Sequence, residues 1–102
     1  MKEYIIEWLG PASDDIAEIA QFYKATASLS VSRTIVSRLF TEIDELARYP
    51  YANPYARYKT LQEKGFRVLI LDHYLCFYKV SGSIVTIYRI LHSSRNYIKL
   101  FK

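Results

Sequence analysis

The alternation of apolar and polar residues at the start of the chain predicts a strand followed by a helix. Tyr4 to Leu9 is a short β-branched and aromatic run that stops at Gly10-Pro11, and proline is favoured in the first turn of a helix. Apolar residues then recur with helical spacing at Ile16, Ile19, Ala20 and Tyr23. This first helix is expected to run to about Ala27.

A second helix is predicted between the Ser-rich residues 28–32 and Pro50. Serine hydroxyls accept hydrogen bonds from the free amides at a helix start, and proline has no amide with which to continue a helix. The apolar stripe between these limits consists of Ile35, Leu39, Ile43 and Leu46, widened by Val36, Phe40 and Ala47. The two helices are expected to form an antiparallel hairpin.

The second half of the chain predicts a loop and three strands. Residues 50–65 show neither the helical nor the strand period of apolar residues and are interpreted as a surface loop of about fifteen residues. Loops of this length are usually functional or mobile. Three apolar runs follow, separated by turn-like Asp72-His73 and Ser81-Gly82-Ser83. These runs are Phe66–Leu71, Tyr74–Val80 and Ile84–Leu91. They predict an antiparallel meander.

The order β-α-α-β-β-β predicts an α+β fold, with the helical hairpin packed on one face of an antiparallel sheet and a short C-terminal segment. Residues 1–102 are expected to form a single domain. The middle strand of the meander is apolar on both sides, with Leu75 and Phe77 on one face and Cys76 and Val80 on the other. Because two helices cover only one face, the other face and its edge are expected to stay open.

Composition and cysteine content predict the class of protein and the compartment in which it acts. Apolar residues make up 51% of the chain and charged residues 24%, which is a globular composition. The single cysteine, Cys76, can form neither an internal disulfide nor a zinc site by itself, so a reducing cytoplasm is expected, with no metal and no cofactor. The acidic N-terminus does not have the layout of a secretion signal, and no apolar run is long enough to span a membrane.

Charge is distributed unevenly along the chain. Residues 1–50 hold five Lys/Arg against eight Asp/Glu, a balance of −3, whereas residues 51–102 hold nine against two, a balance of +7. A basic surface attracts polyanions and steers their approach. Nucleic acid or an acidic protein is therefore the expected partner.

From Tyr4 to about Tyr97 the chain resembles the RelE/ParE superfamily of bacterial toxins. The order of elements is the same, and short motifs in the helices and strands carry the likeness. The helical motifs are Gly10-Pro11, Asp14-Asp15-Ile16, Ile19 to Tyr23, and Glu45-Leu46-Ala47-Arg48-Tyr49-Pro50. The strand motifs are Gly65-Phe66-Arg67-Val68-Leu69, Tyr74-Leu75-Cys76-Phe77-Tyr78, and Ile87-Tyr88-Arg89-Ile90-Leu91-His92 followed by Arg95. The helical hairpin and the Leu-His-x-x-Arg ending look more like the ParE branch.

The resemblance implies the toxin of a type II toxin–antitoxin module, of the kind that stabilises plasmids, neutralised by an acidic antitoxin that folds on the toxin. A higher-order complex of the two proteins is also implied. ParE-like toxins poison DNA gyrase, whereas RelE-like toxins cleave mRNA in the ribosomal A site. Both targets remain open at this stage, as does a non-toxic nucleic-acid-binding module.

A metal-independent endoribonuclease of this kind needs cations on the scissile phosphate and groups that move protons. Candidates for the phosphate are Arg67, Arg89 and Arg95, and candidates for proton transfer are His92 and Tyr97. RelE-like nucleases generally carry an arginine in the third strand, where this chain has Leu75, and their paired lysines are matched only loosely by Lys59 and Lys64. This departure favours gyrase inhibition slightly.

Target binding has its own candidates, and each has a structural alternative. The loop sequence Tyr55-Ala56-Arg57-Tyr58-Lys59 interleaves aromatics with cations, a mixture that stacks on bases and neutralises phosphates. The candidate binding residues are Arg57, Lys59, Lys64, Arg89, Arg95 and Lys99. Alternatively, the loop tyrosines only pack against the helices, His92 caps a strand end, and Arg67 and Arg89 form internal ion pairs.

Overall fold

The computed structural model describes residues 3–101 of the chain. It contains four strands and three α-helices in these residues, with short 3-10 turns at Glu45–Ala47 and Tyr97–Phe101. The strands are β1 (Ile5–Trp8), β2 (Arg67–Leu71), β3 (Tyr74–Ser81) and β4 (Ile84–His92). The helices are α1 (Gly10–Thr26), α2 (Leu29–Asp44) and α3 (Lys59–Glu63). The predicted α+β class and the order of the strands and long helices are confirmed.

The strands form one sheet in the order β1-β4-β3-β2. β2, β3 and β4 make the predicted antiparallel meander, joined at Asp72-His73 and at the Gly82 turn, where Gly82 has a φ of 59°. β1 runs parallel to β4, with Ile5 opposite Ile84. A parallel pair needs a long connection, and the chain between β1 and β4 provides it with the helical hairpin followed by β2 and β3. The sheet is therefore mixed rather than purely antiparallel.

The helical hairpin covers one face of the sheet, as the apolar stripe predicts. Ser28 caps α2, because its Oγ accepts a hydrogen bond of 3.1 Å from the Val31 amide. The core on this side joins inward residues of both helices to one face of β3 and β4. Its buried members include Ala12, Ile19, Leu39, Ile43, Leu46, Cys76, Tyr78, Val85, Ile87 and Ile90. The second helix is shorter than predicted, since a 3-10 turn replaces it after Asp44.

The expectation that the whole second face of the sheet stays open is wrong. A second core lies there, built from the chain between α2 and β2 together with the C-terminal 3-10 turn. Its buried residues are Ala56, Leu61, Phe66, Phe77 and Leu91. Short segments can cover this face because aromatic rings fill a large volume per residue. A groove remains on this face beside the end of β2, over Val68, Ile70 and Leu75.

The predicted structureless loop contains the short helix α3. Gly65, at a φ of 87°, ends this helix, and two amides turn back to satisfy its last carbonyls. The Phe66 amide donates to the Leu61 carbonyl and the Gly65 amide to the Gln62 carbonyl, each at 3.0 Å. The spacing of apolar residues does not predict this helix, because Leu61 is its single buried residue. The Gly65 stop is the signal in the sequence that points to it.

Candidate target-binding groove

A groove of about 420 Å³ lies on the second face of the sheet, between the α2–β2 connection and the C-terminal segment. Its floor is apolar and consists of Val68, Ile70 and Leu75. Its walls are Pro54, Tyr55, Arg57 and Tyr58 on one side and Ser93, Arg95 and Tyr97 on the other. We call this cavity the basic groove, because its charged residues are both arginines. Concave sites with an apolar floor and a few polar groups are the usual form of a binding site.

The basic groove brings together three of the residues singled out from the sequence, Arg57, Arg95 and Tyr97. The Tyr97 ring packs edge-on against Tyr58, with centroids 5.4 Å apart. Burial raises the pKa of the Tyr97 hydroxyl, so at neutral pH it is a protonated hydrogen-bond donor. Arg57 and Arg95 are exposed, and no carboxylate among residues 3–101 lines the cavity. The groove therefore presents two cations, hydroxyl groups and an apolar surface to an incoming ligand.

Arg67 is not available to a ligand in the same way. Its guanidinium donates a 2.7 Å hydrogen bond to the Asn53 carbonyl and lies over the Tyr55 and Tyr51 rings, at 4.2 and 5.1 Å from their centroids. The Tyr78 hydroxyl holds the same segment by donating to the Pro50 carbonyl at 2.8 Å. Arg67 therefore fixes the connection that carries Arg57.

Arg89 pairs with a carboxylate of α1. Its Nε and Nη2 donate to the two oxygens of Asp15 at 2.7 and 2.8 Å, and this contact raises the pKa of the guanidinium. The Ile90 amide also donates to Asp15, at 2.9 Å. β1 ends opposite Ile87. The Asp15 carboxylate therefore supplies the Ile90 amide with the acceptor that a longer β1 would have provided. Arg89 therefore forms an internal ion pair, which is the structural alternative to phosphate binding predicted for it from the sequence.

Asp15 is the residue whose role the sequence analysis misses. Asp15 appears there only as part of the Asp14-Asp15-Ile16 motif, with no partner named for its carboxylate. The spacing holds a signal, because Asp15 lies three residues after buried Ala12 and four before buried Ile19. That position faces the sheet, whereas Asp14 points to solvent. An acid on the inward face of a helix requires a buried partner.

His92 lies at the exposed end of β4. Its Nδ1 is 2.6 Å from the Ser94 hydroxyl and accepts a hydrogen bond from the Ser94 amide at 3.1 Å, while its ring stacks on His73. It lines a smaller cleft against α1, of about 160 Å³, rather than the basic groove. Arg95 borders both cavities, whereas Tyr97 borders only the groove. The two candidates for proton transfer thus face different cavities.

The candidate lysines lie away from the groove. Lys59 pairs with Glu63 at 3.9 Å on exposed α3, Lys64 borders a small cavity beside Phe101, and Lys99 is exposed in the last 3-10 turn. In residues 3–101, no three His, Cys, Asp or Glu side chains are grouped so that they could hold a metal ion. Over the same residues, no helix has the length and apolar character needed to cross a membrane.

The helical hairpin on a four-stranded sheet defines a RelE/ParE-type fold, and two solved structures share it. A chain of the chromosomal ParDE toxin–antitoxin system from P. aeruginosa superposes with a TM-score of 0.76 at 18% identity, covering 90% of this chain and 98% of that one. A chain of the RelBE2 toxin–antitoxin complex from Mycobacterium tuberculosis gives a TM-score of 0.60 at 17% identity, covering 88% and 98%. No curated protein sequence matches.

The family model of the ParE toxin of type II toxin–antitoxin systems matches residues 6–97. This match spans nearly the whole chain and includes all three α-helices, the strands of the meander and the start of the C-terminal segment. The chain belongs to the ParE toxin family.

Proposed function

We propose that the protein arrests bacterial growth by binding DNA gyrase, and that it does so without cleaving RNA. The single observation that carries the proposal is the internal engagement of Arg67 and Arg89. Both are candidates for binding a scissile phosphate, and both already hold protein groups, the Asn53 carbonyl and the Asp15 carboxylate. The site of action under this proposal is the cytoplasm, where gyrase works.

The groups that RNA cleavage would require are not assembled in one site among the described residues. Cleavage of RNA requires cations at the phosphate and a base and an acid on either side of it. Leu75 forms the floor where a phosphate-binding arginine would be needed, and His92 and Tyr97 face different cavities. The basic groove is therefore better suited to binding a macromolecule than to transferring its protons.

The proposal includes neutralisation by a cognate antitoxin. The two similar structures carry toxin–antitoxin names, and the matching family is defined by the ParDE pair. The basic C-terminal half, with Arg57 and Arg95 in no ion pair within residues 3–101, favours an acidic partner. A role in plasmid maintenance would follow from such a pair.

Induced expression in bacteria tests the target. We expect growth to stop while protein synthesis continues at first, with DNA damage following, and we expect the purified protein to inhibit supercoiling by purified gyrase. His92→Ala should keep this activity, because His92 lies outside the groove. Immediate arrest of translation with cut mRNA, and no effect on gyrase, would refute the proposal.

The second candidate is a ribosome-dependent mRNA endonuclease. The observation in its favour is that Arg57, Arg95 and the Tyr97 hydroxyl share one groove. Under this alternative Tyr97→Phe should reduce RNA cleavage by about a hundredfold or more, the usual contribution of a positioned proton donor. Mapping mRNA ends after induction of the wild type and of this variant measures it. A chain that does neither, and does not slow growth, would be a plain nucleic-acid-binding module.

A further inference from the structure

A cavity of about 650 Å³ runs along the outer side of the helical hairpin, between α1 and α2. We call it the hairpin groove. α2 lines it with Arg33, Val36, Ser37, Phe40, Thr41 and Asp44. We propose that this face of α2 pairs with the same face of a second copy of the chain, about a two-fold axis that sets the two α2 helices antiparallel. The pairing is independent of the proposed function, because it uses the side of the molecule opposite the basic groove.

The middle of this α2 face is apolar and accessible. Phe40 is 38% exposed, although its ring already contacts Trp8 at 5.3 Å between centroids. Val36 is half-buried on the same face. The Thr41 hydroxyl donates to the Ser37 carbonyl at 2.9 Å, so this side chain needs no polar partner from outside. An apolar centre with charges at its ends is typical of a face that packs on another helix.

The α1 side of the hairpin groove is built from small residues. The Ser32 hydroxyl donates to the Ala20 carbonyl at 2.7 Å, and this contact holds the two helices close together. Ala17 lies three residues before Ala20 on α1 and also lines the groove. Two methyl groups leave the space beside α2 unfilled, so that side chains of an incoming helix can enter it.

The lining face of α2 is complementary to itself. Its members are spaced i, i+3, i+4, i+7, i+8 and i+11, which places them on one side of a helix. In a two-fold pair of antiparallel helices, residues equally far from the axis face each other. With the axis level with the bond between residues 38 and 39, Arg33 faces Asp44, Val36 faces Thr41, and Ser37 faces Phe40 of the second copy. Every residue of the face thus meets another member, and the largest side chain meets the smallest.

The two charges of this face favour a second copy in that orientation. Arg33 and Asp44 are exposed, and neither forms an ion pair within residues 3–101. Antiparallel helices form two Arg33–Asp44 ion pairs, whereas parallel helices would place like charges together. Asp44 is also the last residue of α2, where the helix dipole disfavours a carboxylate. It therefore does not stabilise its own helix, and a positive charge from another molecule would compensate it.

The contact involves one helix face and part of a groove from each copy, so it is small for a protein interface. We expect a weak dimer, with a dissociation constant on the order of 10 to 100 µM. Sedimentation velocity of the whole purified chain, from about 5 µM to about 1 mM, measures it. A chain that sediments as a monomer over this whole range would overturn the inference.

Charge reversal tests the pairing of Arg33 with Asp44. Arg33→Asp and Asp44→Arg should each raise the dissociation constant about tenfold or more, because each places like charges together at both ends of the contact. The double variant Arg33→Asp/Asp44→Arg restores opposite charges and should return the constant to within about threefold of the wild type. A double variant as weak as the single ones would overturn the inference.

Glu42→Arg is the matched control. Glu42 is an exposed residue of α2 outside the hairpin groove, and its reversal changes the net charge by the same amount as Asp44→Arg. It should leave the dissociation constant unchanged, and an equal loss would mean that net charge alone governs association. Asp44→Arg is favourable to the helix dipole, so a dimer lost in this variant is not lost through unfolding.

Amide NMR on dilution of the wild type locates the contact. We expect the signals of residues 33–44 to shift between dimer and monomer. Shifts confined to β1 or β2 would mean that the copies pair through a sheet edge, and the inference would be wrong. If residues 33–44 respond only to an added helical peptide of unrelated sequence, a different protein occupies the hairpin groove, and the inference also fails.

Discussion

The two faces of the sheet are covered by different means. On one face, α1 and α2 are long regular helices that bury mainly aliphatic side chains. On the other, short segments cover the sheet through aromatic contacts, with Phe66 and Phe77 each 5.0 Å from the Phe101 ring. The helical face is closed, whereas the aromatic face leaves the basic groove. The larger aliphatic core and the proposed binding groove therefore lie on opposite sides of one sheet.

The largest expected effect comes from breaking the buried ion pair between Asp15 and Arg89 on the helical face. Asp15→Ala leaves Arg89 without its carboxylate and the Ile90 amide without an acceptor, so we expect a loss of about 3 to 5 kcal/mol in the free energy of unfolding. Urea denaturation measures it. Asp14→Ala, one residue away and exposed, is the matched control and should change stability by less than about 0.5 kcal/mol. Similar losses in the two variants would mean that the ion pair does not anchor α1.

The second-largest effect is expected from alkaline pH, which should lower the free energy of unfolding through buried groups on the helical face. Burial raises the pKa values of the Tyr74, Tyr78 and Cys76 side chains, so the folded chain keeps these groups neutral while the unfolded chain ionises them. Stability is then fully present below the ordinary pKa values and is lost above them, from roughly pH 9 upward, by about 1.4 kcal/mol per pH unit and group. Urea midpoints measured between pH 7 and 11 test this slope. A flat profile would contradict it.

A smaller effect is expected where one residue joins the two faces. The Tyr78 ring lies in the core beneath the helices, while its hydroxyl holds the Pro50 carbonyl on the far connection. Tyr78→Phe should cost about 1 to 2 kcal/mol, since it leaves that carbonyl without its donor. Hydrogen exchange should then quicken at the Ala56 and Val68 amides, which pair within the connection. Faster exchange confined to the helices would show that the hydroxyl does not serve the connection.

The smallest effect is expected on the exposed side of the connection. Lys59 and Glu63 are 3.9 Å apart, and their side chains are 85% and 62% exposed. Solvent screens such a pair, so Lys59→Ala should change the free energy of unfolding by less than about 0.5 kcal/mol. The urea assay used for Asp15→Ala measures it. A loss above 1 kcal/mol would assign α3 a larger share in stabilising the aromatic face.

The sequence predicts the helical face well and the aromatic face poorly, for a physical reason. The hairpin and the meander repeat their apolar residues over many turns or pleats, and this repetition specifies α1, α2 and the strands. The aromatic face is covered by single residues such as Leu61 and Phe101, whose burial depends on chain segments far away in sequence. Periodicity carries no information about such contacts.

The candidate site, too, could be predicted from the sequence only in part. The motif positions after the last strand placed Arg95 and Tyr97 among the candidates, and both line the groove together with Arg57. Residue type alone could not distinguish these arginines from Arg67 and Arg89. That distinction depends on Tyr51, Tyr55 and Asp15, which meet the arginines only after the chain has folded.

The position of Cys76 gives the protein a built-in reporter of its own opening. The only sulfhydryl of the chain lies in the central part of the sheet with no exposed surface, and burial disfavours its reactive thiolate. A thiol reagent can therefore reach it only when β3 separates from the helices. The labelling rate in the native protein then measures how often β3 separates from the helices, with and without a bound partner, and no engineered probe is needed.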